Sequence, residues 1–191
     1  MNVCPDDELT RAALRAATGD RAALTEFIRA TQKDVWRFIA HLGHANTADD
    51  LTQETYLRAM KSISRFRAEA SAKTWLLSIA RRVCADEVRH DRSRPRVSPG
   101  VDWISAAEAR SSRPRWEDMV EVNLLLKDLP AERREALVLT QILGLSYQEA
   151  AEVTGTPIGT IRSRVARARE YLIAASAAPH RRSVRGHTPH P

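Results

Sequence analysis

SYQEAAEVTGTPIGTIRSRVARARE, residues 146–170, has the proportions of two helices joined by a tight turn. Ala151 is small where the two helices must cross closely. Gly155, four residues on, falls where the turn needs a left-handed residue, which glycine adopts without a Cβ clash. Thr156 suits the cap of the second helix and Pro157 its first turn. Ile161, ten residues after Ala151, plugs the pair from inside, and Thr154 is less apolar than such a position usually is. Winding the second helix at about 100° per residue separates its faces. Ile161, Val165, Ala168 and Leu172 point inward, and Ser163, Ala166 and Glu170 lie opposite. Arg162 and Arg169 flank one side, Arg164 and Arg167 the other. Small outward residues let a helix approach base edges in a major groove while flanking arginines reach bases or the bounding phosphates. Alone, the stretch reads equally as an amphipathic helix whose arginines snorkel along its edges. The turn motif before it favours the nucleic-acid reading.

The rest of the chain is equally helical in texture. Its 191 residues are 43% apolar but only 5% aromatic, so the core must be mostly Ala, Leu, Val and Ile. Apolar residues recur every three or four positions, and few runs alternate apolar with polar, which predicts an all-α protein. The sequence divides into a helical block from about Asp7, a stretch rich in Pro, Ser and Arg (DRSRPRVSPGVDWISAAEARSSRPR, 91–115), a second helical block from Trp116, and a basic tail. The middle stretch reads as a linker, with Trp103 and Ile104 an apolar island in it, and the tail as disordered.

Formal charge is +6, which points to a polyanionic partner. Arginines outnumber lysines 26 to 4, a bias of the kind a GC-rich genome produces, so Arg over Lys is not read as design at single positions. Cys4 and Cys84 form no framework and no zinc spacing, which fits a reducing cytoplasm. MNVCPDDELT lacks a signal core, and no apolar run approaches the roughly 20 residues of a membrane span. His41, His44 and His90 sit in no HExxH or triad-like setting, and no phosphate-cradling glycine loop occurs, so catalysis and cofactors are not expected.

Two segments of the first block carry their own signals. ADDLTQETYLRAM (48–60) gathers Asp49, Asp50, Gln53 and Glu54 in one arc with Leu57 in its midst. The helix dipole accounts for the first two acids, and a protein interface with a basic partner accounts for the whole arc. Thr47 and Asp50 form a T-x-x-D start resembling a capping box. Further on, Phe66 and Trp75 frame a polar loop followed by Lys73, Arg81, Arg82 and Arg89. Aromatics beside cations can hold unstacked bases and their phosphates, although both rings also suit a core.

In that order and spacing these segments resemble the extracytoplasmic-function (group 4) sigma factors of bacterial RNA polymerase, in texture nearest the actinobacterial sigma-C-like subgroup. DDLTQETYLRA resembles the family's core-polymerase-binding segment. FRAEASAKTWLLSIARRVCADEVR resembles its −10 segment, and LPAERREALVLTQILGLSYQEAAEVTGTPIGTIRSRVARARE its −35 domain. The resemblance implies two small helical domains joined by a flexible linker. Residues 7–92 would be sigma region 2, 93–115 the linker, 116–176 the region 4 helix-turn-helix, and 177–191 a disordered basic tail. Asp49, Asp50, Gln53, Glu54 and Leu57 would meet the polymerase clamp helices, with the flap a further polymerase contact. Phe66, Arg67, Lys73, Thr74, Trp75, Arg81, Arg82 and Arg89 would serve the −10 strand. Arg162, Ser163, Ala166 and Arg167 would read −35 bases, with Thr160 and Arg164 on the backbone. The implied partners are core RNA polymerase and promoter DNA, with an anti-sigma factor a further candidate; no cofactor, metal or membrane insertion is implied, and the free chain is expected to be a monomer. Two departures stand out: Ala166 replaces a bulky residue of some members, and Ala68-Glu69-Ala70 lacks the Gly-Asp/Glu-Ser texture common there. A helix-turn-helix regulator acting without polymerase would account for residues 115–175 but not for the acidic and aromatic-basic segments before them.

Overall fold

The chain's computed structural model describes residues 8–93 and 123–177. Apart from their first residues, the 93–115 linker and the 177–191 tail lie outside the described residues, as does the start of the second block. Every regular element among the described residues is helical.

The first half contains α1 (Glu8–Ala17), α2 (Arg21–Ile39), α3 (Ala48–Ser62) and α4 (Ala72–Ser93). Asp20 starts α2 by accepting from the amides of Ala22 and Ala23 at 2.9 and 3.0 Å, which satisfies two otherwise orphan donors. α2 and α3 are joined by a wide turn over Ala40–His44 and a 3-10 turn over Ala45–Thr47. This connection corrects the start of α3. Thr47 has a near-helical backbone (φ −109°, ψ 8°) and makes no side-chain cap. Capping needs an extended backbone at that residue, and the preceding 3-10 turn denies it. Asp49 accepts from Trp36 Nε1 at 3.1 Å instead, tying α3 to α2.

The second half contains a helical turn at 123–126, α5 (Ala131–Leu137) running into a wide turn over Val138–Ile142, α6 (Tyr147–Thr154) and α7 (Ile158–Ala177). Ser146 and Glu149 form a capping box: the Ser hydroxyl accepts from the Glu149 amide at 3.2 Å, and the carboxylate accepts from the Ser146 amide at 2.8 Å. Gly155 ends α6 in the left-handed region (φ 65°, ψ 31°). The next helix starts one residue later than expected. The Pro157 carbonyl accepts from the Thr160 and Ile161 amides, so Pro157 is the cap, while the Thr156 hydroxyl pairs with that of Thr154 at 2.9 Å. Thr154 also donates to the Ala150 carbonyl at 2.8 Å, which is how a hydroxyl is accepted at a buried position.

Both halves contribute to one continuous apolar core. Phe27, Phe38, Ile39, Leu76 and Leu77 from the first and Leu139, Ile161 and Val165 from the second are all fully buried within it. α4 packs along α6, and α5 packs against the 40–44 turn. Gly43 in that turn takes φ 101°, a backbone that favours glycine, and a Cβ there would come within 3.2 Å of Arg134 Nη1, which would have to give by a few tenths of an ångström.

Candidate nucleic-acid interface

On α7 the structure separates the faces as the sequence winding does. Ile161, Val165 and Ala168 are buried and Leu172 is half-buried. Arg162, Ser163, Ala166 and Arg167 are exposed side by side, and Thr160 and Arg164 are half-buried at the edges. The Ser163 hydroxyl donates to its own helix at Thr160 O, 3.0 Å, leaving oxygen lone pairs outward. Arg169 donates to Gln141 Oε1 at 2.6 Å and so braces α7 against the end of α5. What remains outward is a strip of small residues with two guanidiniums beside it, a shape that fits a groove floor and its rim.

The acidic arc of α3 is also outward. Asp50 and Gln53 are exposed, Asp49 and Glu54 half-buried, and Leu57 is 42% exposed, with Met60 equally so one turn on. Met60 extends the apolar part of the arc, and its i+3 relation to Leu57 was legible in the sequence.

The aromatic-basic segment sits differently. Phe66 is buried and packs on Trp75, with ring centroids 5.1 Å apart and planes at 46°. Thr74 is buried too and donates its amide to the Ser71 hydroxyl, which caps α4. Phe66 and Thr74 therefore support the loop from beneath instead of presenting a surface, because the aromatic-poor core uses the rings it has. Above them Ala68 holds φ 55°, a left-handed backbone that a Cβ disfavours by about 1–2 kcal/mol. Arg67 donates to the carbonyls of Ser64 and Phe66, pinning the loop's entry. Arg82 and Arg89 are exposed, Arg89 paired with Asp86.

Lys73 and Arg81 are engaged by the second half. Lys73 Nζ lies 2.6 Å from Asp34 and donates to the Leu143 carbonyl at 2.8 Å. Arg81 Nε donates to Glu135 at 2.7 Å, and the Glu135 side chain is 9% exposed. The Ser71 hydroxyl, whose one proton goes to Thr74 Oγ1 at 2.9 Å, also stands 3.4 Å from Glu149. Leu143 and Glu135 thus take hydrogen bonds that Lys73 and Arg81 would otherwise offer to solvent or a ligand, and Glu149 stands beside the start of α4. Sequence reading missed this contact. Its signal was Glu135 itself: it precedes Val138 and Leu139 by three and four residues, on the buried stripe, where a carboxylate needs a partner.

A second cross-contact ties the halves together. His41 is buried, and its Nδ1 lies 2.6 Å from Asn123 Oδ1. Burial first, and the nearby Arg37 charge, lower its pKa below the usual 6.5 against the opposing effect of Asn123. Cys84, one turn beyond Arg81, is buried, and its thiol is pushed up to about 12, by burial first and then by the Glu135 charge. It is inert in this arrangement. Among the described residues no cluster of His, Cys, Asp and Glu could hold a metal, and no helix is long and apolar enough to cross a membrane.

Comparison with known proteins finds likenesses over both halves of the chain. Residues 27–94 match the family model for Sigma-70 region 2, and residues 119–172 match that for Sigma-70, region 4. The chain is 55% identical over 169 residues to the ECF RNA polymerase sigma factor SigC of Mycobacterium tuberculosis, covering 88% of this chain and 91% of that one. Among solved structures it resembles CnrH in complex with the cytosolic domain of CnrY, with a TM-score of 0.70, 25% identity, and coverage of 90% of this chain and 99% of that one. It also resembles the sigma factor RpoE in complex with the anti-sigma factor NepR from Bartonella quintana, with a TM-score of 0.63, 26% identity, and coverage of 82% and 98%.

Proposed function

The chain belongs to the extracytoplasmic-function sigma factors of RNA polymerase, and from that premise we propose how its surfaces divide the work of promoter recognition. It binds core RNA polymerase and directs promoter-specific transcription initiation, recognising −35 and −10 elements and aiding melting. Its job is binding and positioning; the chemistry of RNA synthesis belongs to the polymerase. The factor acts in the cytoplasm, with an anti-sigma factor as a further partner, the kind of partner the solved RpoE relative carries.

Residues 7–92 act as region 2 and 116–176 as region 4. The α3 arc of Asp49, Asp50, Gln53, Glu54 and Leu57 takes the clamp, its carboxylates meeting basic side chains around an apolar centre. α7 enters the −35 major groove. Arg162 and Arg167 read bases, Ser163 and Ala166 permit the close approach, and Thr160 and Arg164 hold the backbone. Trp75, Arg67, Lys73, Arg81, Arg82 and Arg89 serve the −10 strand, with Phe66 and Thr74 beneath them. Lys73 and Arg81 reach that strand only after exchanging Leu143 and Glu135 for phosphates, so strand binding and separation of the two halves are one event.

The observation that carries this reading is the strip Arg162-Ser163-Ala166-Arg167, exposed on a helix held by a left-handed glycine turn. The test is transcription by holoenzyme from promoters varied at each −35 position, with wild-type factor and Arg162→Ala. Loss of a base-reading arginine costs about 1–3 kcal/mol and relaxes discrimination at one position. An equal loss at every variant would overturn its base-reading role.

A further inference from the structure

A chain of four alternating charges runs across α3 and α4. Glu54 Oε1 lies 2.7 Å from Arg58 Nε, Arg58 Nη1 lies 2.5 Å from Asp86, and Asp86 also pairs with Arg89. Its ends belong to different surfaces: Glu54 to the acidic arc of α3, and Arg89 to the basic face of α4. Its two middle members belong to neither surface. Glu54, Arg58 and Asp86 are each about two-fifths exposed and Arg89 is 74% exposed, so the chain crosses the protein's skin and both ends are reachable from outside.

We propose that Arg58 and Asp86 are positioning residues that couple polymerase binding at Glu54 to strand binding at Arg89. The inference rests on the reading above, in which Glu54 meets polymerase and Arg89 a phosphate. In the free factor Arg58 is divided between Glu54 and Asp86, so Asp86 is incompletely neutralised and holds Arg89. A cationic side chain of polymerase arriving at Glu54 takes over that carboxylate. Arg58 then serves Asp86 alone, and Arg89 is released to the incoming phosphate. The Asp86 carboxyl is held below its ordinary range by Arg58 first and Arg89 second, which agrees with Arg58 being its stronger partner. By linkage the coupling runs both ways, so strand at Arg89 also tightens polymerase. Exposed pairs of this kind are individually weak, and the expected effect is a change of roughly two- to fivefold in affinity.

The test is the affinity of a labelled, mixed-sequence single-stranded oligonucleotide for the full-length factor, free and as holoenzyme, by fluorescence anisotropy at low salt. Asp86→Asn frees Arg89 permanently: strand affinity of the free factor rises two- to fivefold and the holoenzyme-to-free ratio shrinks. Arg58→Met keeps the aliphatic stem and leaves Arg89 as the sole partner of Asp86, so strand affinity of the holoenzyme falls. Glu54→Gln raises the affinity of the free factor while weakening polymerase binding. The signature is a smaller holoenzyme-to-free ratio in both variants, reached by a rise in the free factor for Asp86→Asn and by a fall in the holoenzyme for Arg58→Met, since a plain change of surface charge moves the two states by the same factor. An unchanged ratio in either variant overturns the coupling even where Arg89→Ala weakens strand binding and Glu54→Gln weakens polymerase binding. If Arg89→Ala leaves strand affinity untouched, or Glu54→Gln leaves polymerase affinity untouched, the assignment of that surface fails, and the coupling with it.

Discussion

Replacing Glu135 with Gln should open the contact between the two halves without unfolding either. The side chain keeps its shape and an oxygen toward Arg81 Nε, 2.7 Å away, but loses its charge. Removing one partner of a fully buried ion pair costs about 3–5 kcal/mol, and an exposed pair is worth about 0–1 kcal/mol. This pair lies between those limits, since the Glu135 side chain is 9% exposed but that of Arg81 is 38% exposed. A residual neutral hydrogen bond retains part of the interaction. The closed arrangement should therefore lose about 1–2 kcal/mol, a roughly 5- to 30-fold shift toward the open one. Cys84 reports that shift, because it lies one turn beyond Arg81 on the covered side of α4 and its buried thiol reacts only after opening. In a Cys4→Ser background, thiol-labelling rate should rise by that factor in Glu135→Gln while the thermal midpoint moves little, and single-strand affinity should rise with it. Unchanged labelling would mean that the pair does not hold the halves together. Faster labelling with a large drop in thermal midpoint would mean that Glu135 stabilises the fold generally.

Other consequences can be measured alongside. Ile161→Ala empties a fully buried position between α6 and α7 and should cost about 2–5 kcal/mol in chemical denaturation, with −35 binding lost in proportion; a cost below about 1 kcal/mol would contradict its place in the core. Ala68→Gly removes left-handed strain from the loop before α4 at some entropic cost in the unfolded chain, for a net gain of about 0.5 kcal/mol; a loss above about 1 kcal/mol would show that the methyl packs more than it strains. His41 has a folded-state pKa below 6.5, so the stability from its neutral form is complete above that value and is lost as pH falls through it toward the folded pKa. Thermal midpoint should drop as pH falls below about 6.5, and His41→Gln should lessen that slope, leaving the share of His44, whose pKa burial also lowers; an unchanged slope would exclude His41 as a source.

Much of this protein is legible in its order of residues, because its governing features are local. The four-residue gap from Ala151 to Gly155 and the ten-residue gap to Ile161 place a turn and a plug by backbone geometry alone. The 3.6-residue period sorts α7 into buried Ile161, Val165 and Ala168 and outward Arg162, Ser163 and Ala166. The arc from Asp50 to Leu57 is local in the same sense. Small errors arise where a neighbouring turn controls a backbone angle: Thr47 is held by the 3-10 turn before it, and Pro157 takes the cap expected of Thr156.

Periodicity cannot encode which charges face one another across long separations. Arg81 and Glu135 are 54 residues apart and His41 and Asn123 are 82 apart, and neither pairing has a period or a spacing to betray it. The burial of Phe66 is open in the sequence for a related reason. An aromatic beside cations suits a base stack and a core equally, and the choice depends on whether Trp75 stands over it. The helices, their apolar faces and the exposed cations of α7 thus follow from the amino-acid pattern alone. It takes the packing of α4 on α6, and of α5 on the 40–44 turn, to hold Lys73 and Arg81 on the protein's own acceptors while Arg162 and Arg167 stand open, because a charge takes the nearest acceptor in space, wherever that acceptor lies along the chain.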